Sequence, residues 1–338
     1  MTAQFGNQLT EQRALLAGKA AAVLDARTII RVEGEDRQTW LHALLSQNIT
    51  GLASGDSAEA LLLDPNGHVE QDIHLFVADD AVWLTVSADR GAALLAWLNR
   101  MIFRAKVSVA DVSSSFATVA TFGSPLAGAA ISWRDPWPAT VAGGFRYATS
   151  VVSASQWTCF ENLVPVESLE AALVGFEPAG TLAFDALRIA ARRPAEAELD
   201  EKSLPHELDL LATAVHLTKG CYRGQETVAK VHNLGHPPRR LTFLHLDGSG
   251  HELPPVGASV RVAGEEQIRG RVTSVGQHYE AGPIALAVLS RSTPVDAELE
   301  VIDEEARVIA ATQEVIVPPD AGKAANLGAR RSLLGGKR

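Results

Sequence analysis

The sequence predicts an α+β chain of two mixed lobes followed by a small antiparallel barrel, and three observations predict it. From Arg27 the apolar pattern switches from alternation to helical spacing and back, giving strand, helix, three strands, helix, strand. A second mixed stretch runs from Ser115 to Gly235. After Pro237 and Pro238, about six short β-rich runs follow between Arg239 and Val317, separated by glycine, proline and acidic turns.

In the first lobe, taken as 18–112, "RTIIRVEG" reads as a strand and "EDRQTWLHALLSQNI" as a helix with Trp40, Leu41, Leu44 and Leu45 on one stripe. "EALLLD" and "HVEQDIHLFVA" flank the turn "PNG", "AVWLTVS" is a further strand, "DRGAALLAWLNRMI" a helix and "AKVSVADV" the closing strand. Such an order suggests an antiparallel sheet backed by helices. In the second lobe, 113–236, strands are expected near "FATVATFG", "GFRYATSVV" and "TCFENLVP", with helices in "VESLEAALVGF" and "GTLAFDALRIAARR". The two prolines stop the preceding helix and open the barrel, 237–318. The small, polar, glycine-rich end, 319–338, is expected to be a disordered tail.

With 338 residues, 46% of them hydrophobic, the chain has ample material for several cores. Its formal net charge is −10, and from Ala321 onward the chain holds Lys323, Arg330, Arg331, Lys337 and Arg338 with no acid, so the body is more acidic still. That body should repel nucleic acid, and no direct nucleic-acid partner is expected. No apolar run reaches the roughly 18 residues that span a bilayer, so no membrane partner is expected. Two distant cysteines, Cys159 and Cys221, suit a reducing, cytoplasmic compartment and argue against a disulfide.

The segment "KGCYRGQETVAKVHNLGHPPRR" concentrates the chemistry. Gly220 and Gly224 permit a close backbone approach, Val228, Val231 and Leu234 recur at helical spacing, and Gly235 stops the helix. Cys221 would then precede a helix N-terminus, with Lys219 and Arg223 also favouring a thiolate. The plainer reading of Cys221 is a small residue that fits a glycine-rich turn, and of Lys219 a solvated surface amine. Glu226 and Gln225 fall in the first helical turn, where an acid suits the dipole in any case. A zinc cluster from Cys221, His206, His216, His232 and His236 fails on geometry, because Gly235 and the prolines interrupt the face, and no metal is expected. No nucleophile elbow, Walker loop or dinucleotide fingerprint appears.

"KGCYRGQE" followed by "VAKVHNLGHPPRRL" resembles the signature of the YgfZ-type folate-binding proteins, relatives of the glycine cleavage T-protein, an aminomethyltransferase. "DRQTWLHALLSQNI", "ALLLDPNGHVEQDIHLF", "LRIAARRP" and "SLPHELDLL" extend the resemblance more weakly over most of the chain. It implies a T-protein-like ring of two α+β lobes and a barrel around a channel for tetrahydrofolate or a derivative. It also implies a folate-dependent role in assembling or repairing iron-sulfur clusters of client enzymes, including tRNA-modifying ones. Lys219 and Cys221 match the positions tied to activity, with one-carbon or sulfur transfer through Cys221. Lys219, Tyr222, Arg223, Gln225, Glu226, Glu207 and Arg188 are the cofactor-binding residues that the resemblance implies. Where relatives read "LRIEAGIP", Ala190 replaces the acid that engages the pterin and Arg192 replaces glycine; Glu207 is the candidate substitute acid. Arg192 and Arg193 would favour an anionic tail or simply face solvent. Two alternatives stand beside the leading one: an aminomethyltransferase of glycine cleavage, for which Asp64 and Asp72 lack the expected context, and a binding-only scaffold that has lost folate.

Overall fold

A computed structural model describes residues 2–24, 27–149, 157–250 and 253–323. Helix α1 (Gln8–Leu16) begins where the Asn7 side chain accepts from the Leu9 backbone N–H, and leads into strand β1 (Ala20–Val23).

The first lobe contains β2 (Arg27–Glu33), α2 (Arg37–Leu44), β3 (Ser57–Leu63), β4 (Val69–Val77), β5 (Ala81–Ser87), α3 (Ala88–Arg100) and β6 (Ser108–Asp111). This is the order read from the sequence. Its strands form one antiparallel sheet, β3-β4-β5-β2-β6. Trp40, Leu41 and Leu45, with Leu94 and Leu98 of α3, pack on Ile30, Ile73, Leu75 and Leu84. Alternation along β4 decides what the other face presents. Val69, Gln71, Ile73, Leu75 and Val77 are buried, so Asp72 and His74, two residues apart, share the opposite face.

The second lobe is built from β7 (Phe116–Phe122), β8 (Ile131–Arg134), β9 (Cys159–Pro165), α4 (Leu169–Ala172), β10 (Glu177–Ala179) and α5 (Thr181–Ala190). Its sheet runs β10-β1-β7-β9-β8, parallel only between β1 and β10. Three expectations change here. Strand β1, inside the expected 18–112, pairs in this second sheet, because the small side chains of "AAAV" let α1 and α5 pack over it. No strand forms at 144–149, where Tyr147 N–H and Ala148 N–H donate to the Asp209 carboxylate instead of to a ladder; the rest of "GFRYATSVV", 150–152, lies outside the described residues. The expected helix in "VESLEAALVGF" shortens to a 3-10 turn, Val166–Ser168, and the single turn α4.

Helix α6 (Gln225–Leu234) precedes the barrel of β11 (Arg239–Leu246), β12 (Ser259–Val262), β13 (Ile268–His278), β14 (Gly282–Ser290), β15 (Leu299–Ile302) and β16 (Val308–Val315). It closes in the order β11-β14-β13-β12-β15-β16, and the last pairing, of β11 with β16, removes both edges. The barrel docks on α5, where a Cβ on Gly276 would lie 3.1 Å from the Ala186 Cα. Residues 319–323, expected in the tail, instead pack on the end of α6: Ala321 is buried, its carbonyl bonds the His236 ring at 2.7 Å, and Lys323 N–H donates to Gly235 O. The remainder of the expected tail, 324–338, lies outside the described residues.

Candidate functional site

The motif loop joins the two lobes through glycine. Gly224, the residue before α6, has φ 81° and Gly67 of the "PNG" turn has φ 84°. A Cβ on Gly224 would lie 2.6 Å from Asp64 O and 3.0 Å from the Gly67 Cα, so two backbone turns meet where a side chain has no room. Gly224→Ala is expected to lower stability by about 2–4 kcal/mol, summing left-handed strain and the clash, as read by urea unfolding.

Lys219 is buried, with its ammonium donating to His42 O and, at 2.5 Å, to Leu45 O, and lying 5.0 Å from the Tyr222 ring centroid. Those are the orphan carbonyls at the C-terminus of α2, so the lysine fastens the first lobe to the motif. Burial lowers its pKa to about 8. Arg223 pairs with Glu70 at 2.7 Å and approaches the Trp97 ring. Both cations expected to face the Cys221 sulfur are therefore committed elsewhere, and Cys221 is an exposed thiol. Lys219→Met should cost about 2 kcal/mol in the same unfolding measurement, while Cys221→Ala should stay within about 0.5 kcal/mol.

In α6, Val228 and His232 form the buried face, whereas Leu234, expected inward, is exposed. The histidines weighed as zinc ligands have other partners: His232 Nδ1 meets Tyr147 OH at 2.7 Å, His206 Nε2 meets Val228 O at 3.0 Å, and His236 meets Ala321 O. Burial lowers the His206 pKa to about 3, so its ring is neutral.

The densest buried chemistry lies between the facing sheets. Arg27, Asp72, His74, Asp135, Glu161 and Arg193 line a hollow of about 490 Å³, of which about 40 Å³ is open to the centre of a water molecule, with Trp157, Phe184 and Cys159 as its less polar wall. The His74 ring stacks on Trp133 at 3.8 Å and bonds Glu161 at 2.9 Å; Arg27 reaches Glu161 from the other side at 3.0 Å. Burial pushes the Glu161 pKa up, but Arg27 and His74 outweigh it and bring it down to about 2. For Asp72, burial and then the neighbouring Glu59 raise the pKa to about 8, so it holds a proton at neutral pH. Its Oδ1 has no hydrogen-bond partner. Arg193 lies within 2.6 Å of Glu59 Oε1 and donates from Nε to Asp135 at 3.1 Å. Among the described residues, Glu59, Asp72 and His74 also bring three ligand atoms within 4.8 Å, but the guanidinium of Arg193 already balances Glu59.

Of the site residues expected from the sequence, only Arg188 lines this hollow. It is buried, pairing with Glu198 and Asp185 and donating to Ser274 of the barrel. Glu207 is fully buried beneath Arg239, which also holds Asp200, so it is unavailable as a substitute pterin acid. Gln225 bonds Lys219 O at 3.4 Å, Tyr222 is buried beside Lys219, and Glu226 faces solvent. Arg192, at the relatives' glycine position, has φ 55° and pairs with Glu314 of the barrel; Arg193 is buried rather than solvated. His74, Glu161 and Asp135 were missed in the sequence, Asp72 was weighed only as an aminomethyltransferase acid, and Arg193 only as a contact for an anionic tail or a solvated side chain. The available signal was acids and a histidine on one face of apolar strands, "EQDIHLF" and "CFENLV".

Residues 3–132 match the family described as the GCVT N-terminal domain. A chloroplastic protein of Arabidopsis thaliana, described as a transferase, is 27% identical over 72% of this chain, which spans 59% of that relative's length. The tRNA-modifying protein YgfZ of Edwardsiella ictaluri is 26% identical over 83% of this chain and 87% of its own. A mitochondrial iron-sulfur cluster assembly factor of Mus musculus is 35% identical over 118 residues, 33% of this chain and 30% of its own. The crystal structure of the glycine cleavage aminomethyltransferase T from Bartonella henselae superposes with a TM-score of 0.72 at 20% identity, covering 93% of this chain and 89% of that one. That likeness shows the fold. No described helix is long and apolar enough to cross a membrane.

Proposed function

We propose that this chain is a YgfZ-type relative of the aminomethyltransferases and, on that reading, a folate-binding accessory protein for iron-sulfur enzymes. The observation that carries the reading is the unpartnered Oδ1 of Asp72 in a charged hollow between the lobes. A pterin offers an amino group and ring N–H groups on one edge, and these need a buried oxygen acceptor. Asp72 supplies it, Trp157 and Phe184 would flank the ring once neighbouring side chains move aside, and Arg27 and Arg188 give positive charge for a carboxylate tail. Bound tetrahydrofolate would supply one-carbon chemistry; the protein's part is to hold the ring away from water and keep a proton on Asp72 at neutral pH.

The names of the relatives support iron-sulfur enzymes, including tRNA-modifying ones, as the partner class. Cys221 is the exposed group through which such a client would be met, one-carbon or sulfur transfer being the chemistry proposed for it. Cys159 is the other free thiol, and two unpaired cysteines support a reducing compartment, with the cytoplasm as the proposed address.

Titration with tetrahydrofolate, set beside glycine-cleavage turnover and rescue of iron-sulfur enzymes, tests the proposal. Binding and rescue without turnover are expected; turnover would mark an aminomethyltransferase instead. Cys221→Ala should bind folate as the parent does and lose rescue. A second reading, a scaffold without folate, is favoured by Ala190 at the acid position and by the little space that side chains leave in the hollow.

A further inference from the structure

Arg193 occupies the wall where a ring edge would have to dock. Its side chain is 4% exposed, its Nη2 faces Glu59, its Nε donates to Asp135, and its guanidinium lies 5.2 Å from the Trp137 ring centroid. Asp135 is fixed in turn, accepting from Trp157 Nε1 at 2.8 Å and from Trp137 N–H at 2.9 Å. Asp135 and Trp157 also line the outer groove of about 930 Å³ beside Ser57 and Arg134, so this wall separates groove from hollow.

The 2-amino-4-oxo edge of a pterin is a cyclic acylguanidine, which pairs with carboxylates through the same parallel N–H donors as an arginine. Arg193 therefore offers from within the protein what such a ligand would bring. The remaining space, with room for a few water molecules, cannot take a bicyclic ring without movement of this side chain or its neighbours. Meanwhile Arg193 Nη1 is a buried donor with no partner, a group that a ligand acceptor would satisfy.

We infer that Arg193 is the specificity-determining residue of the central hollow, an internal guanidinium that takes the acids from an aminated ring edge and favours a ligand presenting a carbonyl or carboxylate there. This rests on the folate reading only for the identity of the ring. The wall acids Glu59 and Asp135 are already paired, so an amino group gains little, while Nη1 rewards an acceptor.

The test compares pterin with lumazine, which carries oxo in place of the 2-amino group, by calorimetric titration of the parent and of Arg193→Ala. The parent should bind lumazine at least as tightly as pterin. In Arg193→Ala the preference should move toward pterin by about tenfold or more, the worth of one charged pairing. An unchanged ratio overturns the assignment. Because Arg193→Ala leaves buried acids unpaired, its melting is also followed with millimolar methylguanidinium or methylammonium. Methylguanidinium should raise the melting temperature or restore folding, and methylammonium should do so less; equal effects, or none from either, overturn the assignment. Rescue by methylguanidinium with no binding of either ring to either protein sinks the folate reading and leaves the role of Arg193 standing.

Discussion

Glu207→Ala is expected to destabilise the protein by about 3 kcal/mol, because it removes a buried carboxylate that holds two units together. Glu207 belongs to the 3-10 helix Pro205–Leu208, where it also accepts from the Leu204 backbone N–H at 3.2 Å. Across the junction, Arg239 opens the barrel one residue after Pro238 and grips Glu207 at 2.8 Å and Asp200 at 2.6 Å. Loss of Glu207 leaves the guanidinium with Asp200, on the more exposed side, and leaves a void beneath it. Urea unfolding should show a lower midpoint, and early exchange of β11 amides would locate the weakness. Glu207→Gln keeps the shape without the charge and should cost roughly half as much. A barrel that stayed coupled in Glu207→Ala would remove this ion pair from the account.

The second large effect is the pH dependence of Asp72→Asn. The folded-state pKa of Asp72 is raised to about 8 by burial and then by Glu59, far above an ordinary carboxyl. Folding therefore takes up a proton between the two values. The contribution of Asp72 is fully present at low pH and is lost as pH rises from about 4 toward 8, at up to about 1.4 kcal/mol per pH unit. Asparagine stays neutral and escapes that loss. Asp72→Asn should thus gain on the parent steadily between pH 5 and 8 in parallel melts, with the difference levelling above pH 8. A difference independent of pH would mean that Asp72 is ionised throughout. Comparing variant with parent matters, because Glu161, held down by His74 and Arg27 against burial, acts in the opposite sense and loses its contribution as pH falls toward 2.

The barrel was readable because its information is local. Each strand is a short β-rich run, and the turns "DGSG", "EEARV" and "EAGP" contain the glycines and acids that turns need. The first sheet was readable for the same reason. Strand β1 was not, since four small residues pair with partners about 100 and 157 positions away, and nothing near them in sequence reports it. The motif was found but its electrostatics were misjudged. Lys219 and Arg223 flank Cys221 in sequence, yet their long side chains reach α2 and Glu70, so nearness along the chain did not become nearness of charge. The hollow was hidden for the converse reason. Its charged residues come from β2, β4, β9 and the loops after β8 and α5, each one polar interruption in an ordinary stretch, and only the topology collects them. The substitution of Arg193 into "LRIAARRP" was visible, but its inward direction follows from the turn at Arg192, whose φ of 55° no composition count reveals.

The central claim is that the hollow between the sheets, rather than the cysteine loop, is where folate is held, through Asp72. Equilibrium titration of the parent, Asp72→Ala and Cys221→Ala with tetrahydrofolate tests it most directly. The account predicts one site per chain, an affinity at least about tenfold weaker in Asp72→Ala, and no change in Cys221→Ala. Binding that survives in Asp72→Ala and fails in Cys221→Ala would contradict it.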